Sequence, residues 1–137
     1  MSESAKLRAD HAELVRLVRQ LGARIGRPTP PPQLELFELR RQLTSTLIAH
    51  LKAEDWLLYP RLLASTDPAI AAAARAFNEE MGGLAAAFSR YSETWNATAI
   101  AADWPGYCEA SRAIIEALTN RIVRENRELL PLLDRAA

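Results

Sequence analysis

Apolar residues recur along this chain at steps of three and four, the period of a helix with one face turned to a core. The first stripe is Leu7, His11, Leu14, Val18, Leu21 and Ile25. Gly22 and Gly26 loosen its end, and Arg27-Pro28-Thr29-Pro30-Pro31-Pro32 closes it as a stiff connector. The second stripe, within about 33–60, is Leu36, Leu43, Leu47, His50, Glu54 and Leu58. Tyr59-Pro60 is expected to bend or break that helix, because proline has no N–H to donate and its ring strikes the preceding turn. Asp67-Pro68 starts a third helix, with aspartate as N-cap and proline at the first position. Its stripe is Phe77, Met81, Leu84, Phe88, Tyr91 and Trp95. Gly82-Gly83 falls inside it, costs roughly 1 kcal/mol of helix propensity per glycine, and reads as close packing against a neighbouring helix. Residues 95–104 are expected to form a loop. Asp103-Trp104-Pro105 opens a fourth helix whose inner face is Ile114, Leu118, Arg121, Glu125, Leu129 and Leu132. No period-two strand pattern interrupts this series.

The four stripes fall into two related halves. A shift of 70 residues lays Leu7 on Phe77, Asp10 on Glu80, His11 on Met81, Leu14 on Leu84, Val18 on Phe88, Leu21 on Tyr91 and Ile25 on Trp95. A two-helix unit repeated once buries each half's stripe against the other's. The expected fold is therefore all-α: an up-down-up-down antiparallel four-helix bundle, one domain over residues 1–137, with halves at about 1–65 and 67–137. Helices of this length make a bundle on the order of 30–40 Å long.

The second and fourth stripes also share a motif. Residues 50–62 read H-x-x-x-E-x-x-x-L-x-P-x-L, from His50 and Glu54 through Leu58 and Pro60 to Leu62. The same pattern returns 71 positions later with Arg121 in place of the histidine, followed by Glu125, Leu129, Pro131 and Leu133. Residues i and i+4 project from one helix face, so His50 and Glu54 enter the core together. A lone core histidine is more often structural than a ligand. Here both histidines of the chain lie on apolar stripes, and burying Glu54 without a cation or donor is expensive.

On these pieces the chain resembles the hemerythrin-like, or HHE cation-binding, domain family over nearly its whole length. They are Asp10-His11, His50-x-x-x-Glu54 with Leu58-Tyr59-Pro60, and Glu125 with Leu129-Leu130-Pro131-Leu132-Leu133. The resemblance implies a non-haem di-iron centre inside a four-helix bundle. Its ligands would be a histidine from helix 1, His-x-x-x-Glu from helix 2, a histidine from helix 3 and His-x-x-x-Glu from helix 4. By motif position, His11, His50, Glu54 and Glu125 are the metal-ligand candidates. Two positions depart from the pattern. Met81 stands where helix 3 should offer histidine, and a thioether is a poor ligand for iron. Arg121 stands in helix 4, and a guanidinium has no lone pair to give. With two histidines in the chain, neither the four histidines of that pattern nor the five of a normal di-iron site can be supplied.

Two readings of the altered site follow. In the first, no metal is bound, and Arg121 supplies the missing positive charge in a network with Met81 nearby, reaching Glu54 across the bundle with bidentate geometry. In the second, one non-haem Fe, Zn or Mn ion is kept by His11, His50, Glu54 and possibly a fourth ligand, Glu125 or Glu80. The first suits a regulatory, sensing or structural module, with a protein partner or a second copy docking on an apolar face such as the Ala-rich residues 71–76. The second suits iron or oxygen sensing or storage. An enzyme using the metal for oxygen or peroxide chemistry is the weakest reading, because the ligands for a di-iron pair are missing.

Composition narrows the partners. Seventeen basic residues balance seventeen acidic ones, so no basic surplus exists to hold nucleic acid or an anionic membrane. Cys108 is the only cysteine, which rules out an intrachain disulfide and fits a reducing compartment. Residues 1–10 carry no signal-peptide core, and no apolar run is long enough to span a bilayer. A cytoplasmic protein is expected. Cys108 has two readings, a thiol activated by a helix start or a buried inert one. Trp56, Trp95, Trp104, Tyr59, Tyr91 and Tyr107 are expected to fill the core or cap the bundle ends. Lys52, Arg40, Arg41 and Arg124 are expected on solvated faces.

Overall fold

The computed structural model describes residues 2–136. Met1 and Ala137, the two ends of the expected domain, lie outside the described residues. Helix α1 runs Glu3–Ile25. The second rod is α2 (Gln33–Lys52), a widened π turn (Ala53–Leu58) and α3 (Tyr59–Leu63) in one continuous course. The third is α4 (Pro68–Met81) and α5 (Leu84–Thr94). After the short α6 (Ala97–Ala102), the fourth rod runs through α7 (Trp104–Arg124), a second π turn (Glu125–Leu129) and α8 (Leu130–Ala136). Each rod packs on the next and the fourth returns to the first, through the pairs α1 with α2, α3 with α4, α5 with α7, and α1 with α7. This is the all-α four-helix bundle that the stripes predict.

Side-chain caps set the helix starts. Ser2, Asp67, Asn96 and Asp103 accept hydrogen bonds from the backbone N–H groups of Ala5, Ala69, Ala99 and Gly106. Asp67-Pro68 and Asp103-Trp104-Pro105 thus open helices as expected. Residues 95–104 are not simply a loop, however. Asn96 caps an extra helical turn that carries Ile100 into the core.

Four other expectations change. Pro60 does not end the second helix. The π turn before it sends the Tyr59 N–H to the Glu54 carbonyl, five residues back. A wider turn accommodates the ring that would strike the carbonyl four residues back. The same device precedes Pro131, where the Leu130 N–H bonds to the Glu125 carbonyl. The added residue also rotates the buried face. Leu129, Leu130 and Leu133 are buried and Leu132 is only partly so, whereas uninterrupted α-period predicted Leu129 and Leu132. Gly82-Gly83 breaks the third rod into two helices and does not pack against a neighbour. A Cβ on Gly83 would meet nothing within 4 Å, and one on Gly82 would strike its own chain at the Asn78 carbonyl. Finally, Trp56 is 69% exposed, with the Lys52 ammonium over its ring, so it fills no core.

The apolar interior is divided. One cluster, around Leu14, Leu47, Phe88, Tyr107 and Leu118, fills the end near the Pro-rich connector. Another, around Leu58, Tyr59, Phe77, Met81, Leu129 and Leu130, fills the opposite end. Between them lies a buried polar layer made by His11, His50, Glu54, Arg121 and Glu125.

Candidate metal centre

Each member of this layer comes from a different turn of the bundle. α1 supplies His11, α2 supplies His50, the two π turns supply Glu54 and Glu125, and α7 supplies Arg121. His50, the most open of them, is 5% exposed, so bulk water can solvate none of these charges. The layer has to satisfy itself.

Arg121 does so on one side. Its Nη2 donates to Glu54 Oε1 at 2.9 Å and to Asp55 Oδ1 at 2.7 Å. Its Nε donates to Glu125 Oε2 at 3.2 Å, and its Nη1 donates to the Met81 carbonyl at 3.2 Å. The guanidinium therefore spreads over three carboxylates and does not form the bidentate pair with Glu54 expected from the sequence. Met81 contributes its carbonyl, while its sulfur lies 3.9 Å from the Asn120 amide nitrogen. Tyr59 OH donates to Glu125 Oε2 at 2.6 Å, and the guanidinium sits over the Tyr59 ring. Burial opposes the Arg121 charge, but Glu125, Glu54 and Asp55 outweigh it and hold the group protonated.

The other side is arranged differently. His11 Nε2 stands 3.1 Å from Glu125 Oε1 and 3.4 Å from Glu54 Oε2, and His50 Nε2 stands 3.1 Å from Glu54 Oε2. One donor atom from each of His11, His50, Glu54 and Glu125 lies within 4.8 Å of the others, so this cluster could hold a metal ion. Each carboxylate turns one oxygen to this cluster and the other to Arg121. The outer ring nitrogens face away. His11 Nδ1 donates to Asn126 Oδ1 at 2.6 Å, and His50 Nδ1 is 3.6 Å from Asp10 Oδ2. With its proton fixed on Nδ1, neutral His11 points the Nε2 lone pair at two carboxylates. Lone pairs and carboxylates repel unless a cation lies among them. Three of the four buried side-chain atoms lacking a hydrogen-bond partner among the described residues are here: His50 Nδ1, His50 Nε2 and Glu125 Oε1. A cation fits this donor set.

A proton on His11 is one such cation. Burial alone would push the imidazolium down, but Glu125, Glu54 and Asn126 outweigh it and raise His11 from 6.5 to about 10. Burial would raise Glu54, but His11 and His50 hold it well below the usual carboxylate range. Glu125 is raised, by burial and by the Glu54 charge. The raised His11 contributes stability that is present below the unfolded pKa near 6.5 and is lost as pH rises through about 10. The melting temperature of metal-free protein should therefore fall between pH 7 and 10, and His11→Gln should flatten that slope.

Other sequence candidates lie elsewhere. Glu80 is exposed and pairs with Arg124, so it does not enter the centre. Arg40 is only half-buried on its face and donates to the Trp95 carbonyl over the Tyr107 ring. Cys108 is buried, and burial pushes its thiol up, which fits the inert reading. The sequence pattern does not single out Asp55 or Asn126, and it gives Tyr59 a packing role and no place in the centre. A signal was present for two of them, because Asp55 and Asn126 are the residues after Glu54 and Glu125 and correspond under the 71-residue shift.

The fold and the buried layer define a class: four-helix proteins that carry a histidine–carboxylate cation site between the helices. The hemerythrin HHE cation-binding domain family matches residues 3–133. The chain belongs to that family. No curated protein and no solved structure matches it. Among the described residues, no helix is long and apolar enough to cross a membrane.

Proposed function

We propose that this protein is a cation-binding module that holds one divalent Fe, Zn or Mn ion through His11, His50, Glu54 and Glu125, and that the Arg121 guanidinium takes the place of a second metal. The single observation that carries this reading is the spacing of the donors. A tetrahedral ion with bonds of about 2.0–2.1 Å sets neighbouring donors about 3.3–3.4 Å apart. Three donor pairs here are 3.1, 3.1 and 3.4 Å apart, and all four donors lie within 4.8 Å of one another. Imidazole and carboxylate together suit these metals.

Pseudosymmetry supports the second half of the proposal. The shifts of 70 and 71 residues that relate the halves carry His11 to Met81, His50 to Arg121 and Glu54 to Glu125. The mate of the histidine seat would thus be lined by Met81, Arg121, Glu54 and Glu125. The guanidinium fills that space, bonded to both glutamates and the Met81 carbonyl. The arginine of the first reading and the single ion of the second are therefore compatible, one on each side of the carboxylate pair, while the metal-free part of the first reading is not kept.

Four protein donors in a dry layer leave no designed open position, which is the pattern of metal sites that retain an ion and not of sites that activate substrate. The bound ion would supply positive charge at the centre of the bundle. The chain's own residues do the rest. Asn126 orients the His11 imidazole from outside, the Asp10 carboxylate stands 3.6 Å from the outer nitrogen of His50, Arg121 and Tyr59 fix the outer oxygens of the carboxylates, and the two apolar clusters keep water away. A sensing or structural role follows more naturally than oxygen chemistry.

Metal content tests this. After purification without chelators and supply of iron and zinc, plasma mass spectrometry should find close to one ion per chain. His50→Ala should lower that by at least tenfold, since it removes one of four ligands. Wild-type protein that stays folded and carries metal only at trace level would overturn the proposal.

A further inference from the structure

We infer that the Arg121–Asp55 pair makes this centre selective for a divalent ion, so that a trivalent ion, ferric iron included, is rejected. The inference rests on the metal-binding reading above and names the charge state that the site accepts. It comes from a count of the charges in the buried layer and bonded directly to it. Glu54 and Glu125 are fully buried carboxylates. Asp55 is 20% exposed and bonds to Arg121 at 2.7 Å. Against these three negative charges stands one fixed positive charge, the guanidinium. With His11 and His50 neutral as ligands, a dication brings the layer to zero. A trication leaves one uncompensated positive charge in the core, and buried charge without a counter-ion is expensive. Asp10 stands outside this count. Its carboxylate is 39% exposed and 3.6 Å from His50, so water shares its charge.

Geometry makes Arg121 the discriminating group. It is separated from the donor cluster by the Glu54 and Glu125 carboxylates alone, each of which has one oxygen on either side. At an effective dielectric of about 20 and a spacing of one carboxylate, the guanidinium's repulsion alone weakens binding on the order of 100-fold for each added unit of charge on the ion. The guanidinium cannot relieve this by losing a proton, since arginine stays charged. A metal in the mate seat could be vacated or bridged to compensate, whereas an arginine anchored by four groups cannot. Arg121 and Asp55 touch none of the inner donor atoms directed at the ion, so they act as specificity-determining residues through charge.

Gallium(III) is a redox-inert trication that resembles ferric iron, and zinc(II) serves as the matching dication. Wild-type protein equilibrated with either metal as its citrate complex, then desalted, should hold close to one Zn2+ and less than a tenth of a Ga3+ per chain. Protein loaded anaerobically with Fe2+ should lose its iron when ferricyanide oxidises it. Asp55→Asn keeps the side-chain shape, removes one negative charge, and should weaken Zn2+ binding at least tenfold. One Ga3+ per chain beside one Zn2+ overturns the inference while leaving the metal centre standing, and so does unchanged Zn2+ affinity in Asp55→Asn. Failure of the wild type to hold any dication removes the metal centre itself, and this inference with it.

Discussion

Replacing Arg121 with methionine should destabilise the protein by about 3–5 kcal/mol, because it removes one partner from a buried ionic cluster and leaves the others charged. Glu54, Asp55 and Glu125 would each lose a donor, and the Met81 carbonyl would lose one too. The replacement also forfeits the contact of the guanidinium with the Tyr59 ring. Methionine fits the volume, so the loss comes from charge and hydrogen bonding, not from a cavity. For a chain of this size, the melting temperature should drop by roughly 10–20 °C. Arg121→Lys should fall between the two, since an ammonium restores the charge but not the planar fork that reaches several acceptors. Thermal unfolding followed by circular dichroism measures all three proteins. A melting temperature for Arg121→Met within a few degrees of wild type would show that the network does not carry the buried charge.

The second large effect concerns stoichiometry. The double variant Met81→His/Arg121→His should raise metal content from one ion per chain to two. The two outer oxygens now held by Arg121, Glu54 Oε1 and Glu125 Oε2, would be released on the far side of the carboxylate pair. New imidazoles at 81 and 121 would stand where pseudosymmetry carries His11 and His50. Both positions are buried, Met81 beside the apolar cluster and Arg121 in the polar layer. Asp55 would lie at the edge of the new seat, as it now lies against the guanidinium, and the one positive charge that two dications leave over the three carboxylates would be met by an anion from solvent in the room the guanidinium vacates. A doubled iron or zinc content by plasma mass spectrometry, in a variant with unchanged helical circular dichroism, is the expected result. A folded double variant that still holds one ion would show that Arg121 does not occupy a metal seat.

The exposed stripe on the second rod shows where local pattern stops being informative. Trp56 is a large aromatic next to the site residues, and its size suggests a core position. It lies two residues past Glu54, which faces it away from the stripe on either helical period. The π turn at 53–58 decides for Leu57, which an ordinary α-helix would turn toward the stripe; the wider turn keeps Glu54 and Leu58 inward and leaves Leu57 outside. The same shift exchanges Leu132 for Leu133 in the fourth rod. Proline marks such a position in the sequence, but whether the chain kinks, stops or widens its turn depends on what the following segment can bury. Here Leu62 and Leu133 have an apolar cluster to join, so the helices continue.

Periodicity, the repeat and the count of histidines together determined the fold class, the four-rod arrangement and the five residues of the buried polar layer. They could do so because a helix places i, i+3 and i+4 on one face whatever surrounds it. They also determined that a five-histidine centre is impossible, since that follows from arithmetic. Only the tertiary structure decided how the charges pair. The contacts of Arg121 with Glu54 and Asp55 join residues 66 or 67 positions apart, and that of His11 with Asn126 spans 115. No periodicity within one helix encodes such distances. Packing the rods turned one oxygen of each glutamate toward the guanidinium and the other toward the histidines, and that division separates an arginine seat from a metal seat.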